Sequence, residues 1–176
     1  MGGTIRMEYV DIYNDKREKM NIKTERGNLK NGEYSISVHV WVIDNEKLLI
    51  QKRASNKKIF PDMWEQSGGG VIAGETSIQA VKRECKEELN IDVDDGELTY
   101  IGSYLRVTDI VDIWLLNKKI DNKKIKLQKE EVSDIKFVTF DEFDNMINDS
   151  KVVPTINPSY TLLKNYYNVY KRGSLI

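Results

Sequence analysis

Residues Gly68–Ile91 read GGGVIAGETSIQAVKRECKEELNI, a glycine-rich stretch that runs into a charged helix. No other segment limits the fold as strongly. Consecutive glycines let backbone approach a neighbour where a side chain would block it. Ile78, Val81, Cys85 and Leu89 then recur at three- or four-residue spacing, which predicts a helix with one buried face. Thr76 or Ser77 is placed to cap its start, and Asn90 to end it in the left-handed conformation. Glu84, Glu87 and Glu88 stand three and four residues apart, largely off the buried stripe, and so project together towards a cleft or water. Like charges at that spacing cost a helix roughly a few tenths of a kcal/mol per pair. A bound divalent cation is the simplest compensation, and carboxylate oxygens suit Mg²⁺, Mn²⁺ or Ca²⁺.

Composition narrows the chemistry further. One cysteine and one histidine exclude a disulfide framework within the chain and a His/Cys metal cluster. A net charge of −1 supplies no global field for a nucleic-acid polymer or an acidic membrane. No apolar run approaches the roughly 18–20 residues needed to cross a bilayer, and no secretory segment is recognisable. The expected setting is the cytoplasm, with a small-molecule partner. The 176 residues fit one domain over 7–176, after an extension over 1–6 that adds little.

Along the chain, residues 9–24 read as an N-terminal β-hairpin turning at Asn14-Asp15. Tyr34–Ile43 is a core strand and Lys47–Lys52 its hairpin partner. Leu98–Tyr104, Ile110–Leu116 and Ile135–Phe140 read as further strands. Asp141 is placed to cap a helix from Glu142 to about Asn148, and a C-terminal helix is expected over 158–171 with a Tyr160, Leu163, Tyr167, Tyr170 stripe. The order of elements is α+β with a mixed sheet. The lysine-rich run Lys118–Lys129 lacks interleaved aromatics and reads as a solvated connection. Arg53–Trp64 reads as a solvated loop or, with Lys52, Arg53, Lys57 and Lys58, as an edge facing a phosphate.

Gly69, five residues, Glu75, seven residues and then Arg83-Glu84-Cys85-Lys86-Glu87-Glu88-Leu89-Asn90-Ile91 resembles the Nudix signature, so that 69–91 is the Nudix box. Cys85 replaces an aliphatic residue and Asn90 the final glycine, both tolerable substitutions. Trp41, the QKRASNKKIFPDMW stretch and Asn157-Pro158 look like the branch similar to isopentenyl-diphosphate isomerase. The resemblance implies the Nudix α/β/α sandwich and Mg²⁺- or Mn²⁺-dependent hydrolysis of a nucleoside diphosphate linked to another group. It implies metal ligation by Glu84, Glu87, Glu88 and the Gly69 carbonyl, with Glu75 and Arg83 bracing the site. Glu84 is the first choice for the base that takes the water's proton, with Glu87 or Glu88 next and Asp112 and Glu130 or Glu131 as candidates outside the box.

Arg53, Lys57, His39, Asp112 and Glu131 are the candidate substrate contacts. Tyr104, Arg106 and Trp114 have two readings, contact with a base or, for the strand aromatics, packing in the core. His39 has two readings, a strand residue satisfied by backbone or water, or a wall of the substrate cleft. A prenyl-diphosphate isomerase would need a thiol in the loop Gln66–Gly70 and several histidines, which this chain lacks. A non-catalytic nucleotide-binding module is a further alternative, although such relatives usually lose a box acid. Assembly as a monomer or homodimer is open.

Overall fold

The computed structural model describes residues 8–173, with side chains described through Val169. The extension over 1–6, Met7 and the Tyr170 side chain lie outside the described residues. A two-stranded antiparallel hairpin comes first, β1 (Tyr9–Tyr13) and β2 (Lys19–Glu25). The main sheet follows with β3 (Ser35–Asp44), β4 (Lys47–Arg53), β5 (Trp64–Glu65), β6 (Ser67–Gly70), β7 (Leu98–Leu105), β8 (Asp109–Asn117) and β9 (Val132–Val138). β3 pairs in parallel with β8, and the other strand pairs are antiparallel, so the sheet is mixed.

The long helices are α1 (Ser77–Leu89), α2 (Phe140–Asn148) and α3 (Asn157–Gly173). Strand alternation decides which helix each β3 residue meets. Val38, Val40 and Val42 pack with Ala80, Val81, Cys85 and Leu89 on the α1 side. Trp41 and Ile43 pack with Phe143, Tyr160 and Leu163 on the α2–α3 side. The result is a sheet sandwiched between helices. Trp41 satisfies its indole N–H on the Ser159 hydroxyl at 2.9 Å, which ties α3 to the sheet. No helix among the described residues is long and apolar enough to cross a membrane.

Two local expectations are corrected, and a third, the solvated lysine-rich connection, gains detail. The cap of α2 is Thr139 rather than Asp141: its hydroxyl accepts from the Glu142 N–H at 3.1 Å, and the Glu142 carboxylate accepts from the Thr139 N–H at 2.7 Å. This reciprocal pair starts the helix earlier and leaves Asp141 in the first turn, where a negative charge suits the helix dipole. The glycines are not a free loop, because Ser67–Gly70 pairs along the first half of β3 while β4 pairs along its end. A Cβ at Gly68 would fall on the Val38 carbonyl oxygen, so the close strand approach requires glycine there. The lysine-rich connection packs across the end of α1: Asn90 Nδ2 donates to the Lys124 carbonyl at 2.9 Å, and Ile125 and Leu127 lie against the core.

Candidate functional site

The box helix begins and ends on the residues its sequence suggests. Thr76 caps it and forms a reciprocal pair with Gln79, which leaves Ser77 to accept the Trp114 indole N–H at 2.9 Å. Asn90 closes it with φ 58°, in the left-handed region. Between the caps the acids do not share one environment. Glu87 is exposed, Glu84 is mostly buried, and Glu88 is buried beside Cys85 and Leu89. Helical spacing placed all three towards a cleft or water. The correction for Glu88 comes from β6, which covers that end of the helix and gives the Glu88 carboxylate a backbone donor, Gly68 N–H, at 3.3 Å.

Arg83 organises the group. It meets Glu75 through two bonds of 2.9 Å, Glu84 at 2.8 Å, Glu87 at 3.2 Å and the Gly70 carbonyl at 3.0 Å. Burial works against its charge, but the Glu75 bonds and the Glu84 carboxylate outweigh that and hold it protonated. Burial raises the Glu84 pKa, which Arg83 opposes. Burial and the Glu84 charge push Glu88 well above the usual carboxylate range.

Among the described residues no three carboxylates converge closely enough to hold one ion, because Arg83 lies among them and Glu88 turns to Gly68. The residues nonetheless fit a hard divalent cation. Their donors are all oxygens. A Cβ at Gly69 would also fall on the Glu84 carboxylate, so a cradle of backbone and carboxylate exists only because position 69 is glycine.

A cavity of about 620 Å³ opens beside Gly68, Gly69 and Gly70. Its walls include Ser37, His39, Gln66, Phe60, Arg106 and Asp109. Burial, then the positive charge of Arg106, push the His39 pKa down to about 3, so its imidazole is neutral. Its Nδ1 has no partner, and neither does the Oε1 of buried Gln66. His39 lies on the wall of this cavity.

The remaining candidates separate. Arg53 lines the cavity, where it bonds Glu65 at 2.7 Å. Lys57 and Glu131 bond each other instead, and neither is part of the cavity wall. Asp112 pairs in register with Val38, which turns it to the α1 face, away from His39. There it is fully buried and ion-paired to Arg17 of the β1–β2 turn. Trp114 shares that face, while Arg106 stands on the cavity wall. Sequence reasoning missed Gln66 and Arg26. Gln66 carries no spacing signal although it stands two residues before Gly68, and Arg26 lies far from the box in the chain, so that only folding brings it to the glycines.

Cys85 is fully buried in α1, where burial pushes its thiol pKa up to about 12. It is not available as the reactive thiol of a prenyl-diphosphate isomerase.

The NUDIX domain family model matches residues 33–156. A Listeria innocua protein described as an uncharacterized Nudix hydrolase is 37% identical over 154 residues, covering 84% of this chain and 89% of its own length. Its counterpart from Listeria monocytogenes is 36% identical over 169 residues, covering 93% of this chain and 95% of its own. A crystal structure from Deinococcus radiodurans superposes with a TM-score of 0.74 at 19% identity, covering 89% of this chain and 98% of that one, which supports the fold. A domain match over most of the chain, with relatives alike along nearly their whole length, makes this protein a member of the Nudix hydrolase family, whose enzymes cleave nucleoside diphosphate-linked compounds.

Proposed function

We propose that this Nudix enzyme uses Mg²⁺ or Mn²⁺ to hydrolyse the diphosphate of a nucleoside di- or triphosphate or a nucleotide sugar. One observation carries the reading: the Glu84 and Glu88 carboxylates are packed against the backbone of Gly68 and Gly69, at the edge of the cavity. Glu84, Glu87, Glu88 and the Gly69 carbonyl would hold the cation. When bound, it neutralises diphosphate oxygens and makes a water more acidic. Glu84 takes the proton of the attacking water, whose oxygen forms the new bond to phosphorus as the bridging oxygen leaves. Arg83 and Glu75 hold the box helix and the glycine strip in register. Ser37, His39 and Gln66 face the group attached to the diphosphate. The single buried thiol accords with a cytosolic setting.

A screen of nucleoside diphosphates, triphosphates and nucleotide sugars with Mg²⁺ and with Mn²⁺, reading released phosphate or pyrophosphate, tests the proposal. Glu84→Gln is expected to abolish metal-dependent turnover with the fold intact. Unchanged turnover in that variant would refute Glu84 as the base, and absence of hydrolysis on every diphosphate offered would refute the reading itself.

A further inference from the structure

We infer that Arg26, delivered by the N-terminal hairpin, is a substrate-binding residue that holds the diphosphate against Gly70. The inference rests on the diphosphate reading above, but it adds a residue outside the segment matched by the family model.

The hairpin is fastened to the catalytic strip at several points. The Ala73 N–H donates to the Tyr9 carbonyl at 2.8 Å, and the Gly74 N–H to Asp11 Oδ2 at 2.8 Å. The Arg26 N–H donates to the Glu8 carbonyl at 2.8 Å, which fixes the backbone just beyond β2. From there the Arg26 guanidinium packs against Gly70, where a Cβ would fall on its terminal nitrogen. Gly70 occupies a position where the Nudix signature accepts any residue, so the signature does not explain the glycine. Arg26 does. Arg83 holds the Gly70 carbonyl at 3.0 Å, so two guanidinium groups contact one residue of the strip. The Arg26 charge also acts on Glu84.

Three arginines line the cavity, and their partners distinguish them. Arg53 is bonded to Glu65 and Arg106 to Asp109, and both of those carboxylates belong to the cavity wall. The partner of Arg26 is Glu8, at 2.9 Å, which is 41% exposed and outside the wall. Arg26 therefore brings positive charge to the glycine strip without a carboxylate beside it in the cavity. Anionic oxygens clamped by a cation on the Glu84 side need charged donors on the other, and a planar guanidinium fork suits phosphate.

Binding of inorganic pyrophosphate in the presence of Mg²⁺, measured by titration calorimetry on the full chain, tests this without requiring turnover. Arg26→Gln is expected to weaken binding about tenfold or more, as for loss of a charge-assisted hydrogen bond. Gly70→Ala should weaken it similarly by displacing the guanidinium, and Arg26→Lys should fall between, since it keeps the charge and loses the fork. Glu8→Gln breaks the same ion pair yet leaves the guanidinium in place, so binding should be equal to or tighter than in the parent protein. The inference is overturned if Arg26→Gln, shown folded by its melting curve, binds pyrophosphate as well as the parent. It is also overturned if Glu8→Gln weakens binding as much as Arg26→Gln, or if the parent does not bind pyrophosphate at all. Hydrolysis in the substrate screen judges the underlying reading independently.

Discussion

Glu84, Glu87 and Glu88 show how far residue spacing reaches. Spacing put them on one helix and within a turn of one another. It did not tell that Glu88 would be buried while Glu87 stayed in water, because that depends on β6 lying over one end of the helix. His39 shows the same limit. Its place on a strand was evident, whereas its neutral state follows from burial and from Arg106, a residue distant in sequence. A folded pKa near 3, below the usual value of 6.5, means the unfolded chain binds a proton here that the folded one refuses. The stabilising contribution is complete above about pH 6.5 and declines as pH falls towards 3, with a slope of at most about 1.4 kcal/mol per pH unit. Urea denaturation of the protein and of His39→Asn between pH 7 and 4.5 should show the variant losing less stability on acidification. Parallel curves would place the proton uptake elsewhere.

At the scale of elements, the caps of α1 were legible because capping is local chemistry. Thr76 and Asn90 need only their neighbours within a turn or so. Replacing Thr76 by Ala should cost about 1 kcal/mol, the usual value of an N-cap side chain. Asn90→Ala should cost about 1–2 kcal/mol, since Ala lacks the short polar side chain that lets Asn tolerate the left-handed conformation, and Asn90→Gly, with no Cβ, should cost less. Chemical denaturation of the three variants measures this ranking; equal losses for Ala and Gly at position 90 would shift the weight to the Asn90–Lys124 bond. The start of α2 was misplaced by a small margin for an equally local reason. Asp141 and Thr139 are both capable caps, and the choice went to the residue whose third neighbour, Glu142, returns the hydrogen bond.

On the scale of the molecule, the hairpin is part of the site's scaffold. Its Arg17 neutralises Asp112, which is fully buried in β8, and its Asp11 and Tyr9 hold the strip after the glycines. Arg17→Ala leaves Asp112 buried without its counter-ion. Arg17 is 39% exposed, so part of the loss is made up by water, and the expected destabilisation is about 1.5–3 kcal/mol. Adding Asp112→Leu to that variant should recover part of it, because a buried pair replaced by apolar groups is tolerated better than one broken. A denaturation series on the single and double variants tests this. No recovery in the double variant would mean that Asp112 has a further partner.

The amino-acid sequence determined the box, its caps, the α+β order of elements and the class of chemistry. Each rests on contacts within a few residues, or on a fixed spacing of glycine and carboxylates along one strand and helix. Tertiary structure alone decided which candidates meet. Strand pairing turned Asp112 to the face opposite His39, and side-chain pairing satisfied Lys57 and Glu131 with each other. Docking of the hairpin brought Arg26 to Gly70 across more than forty residues of chain. The parity of a strand register and the docking of a distant hairpin have no local signature, because they are set by the burial of whole surfaces against each other.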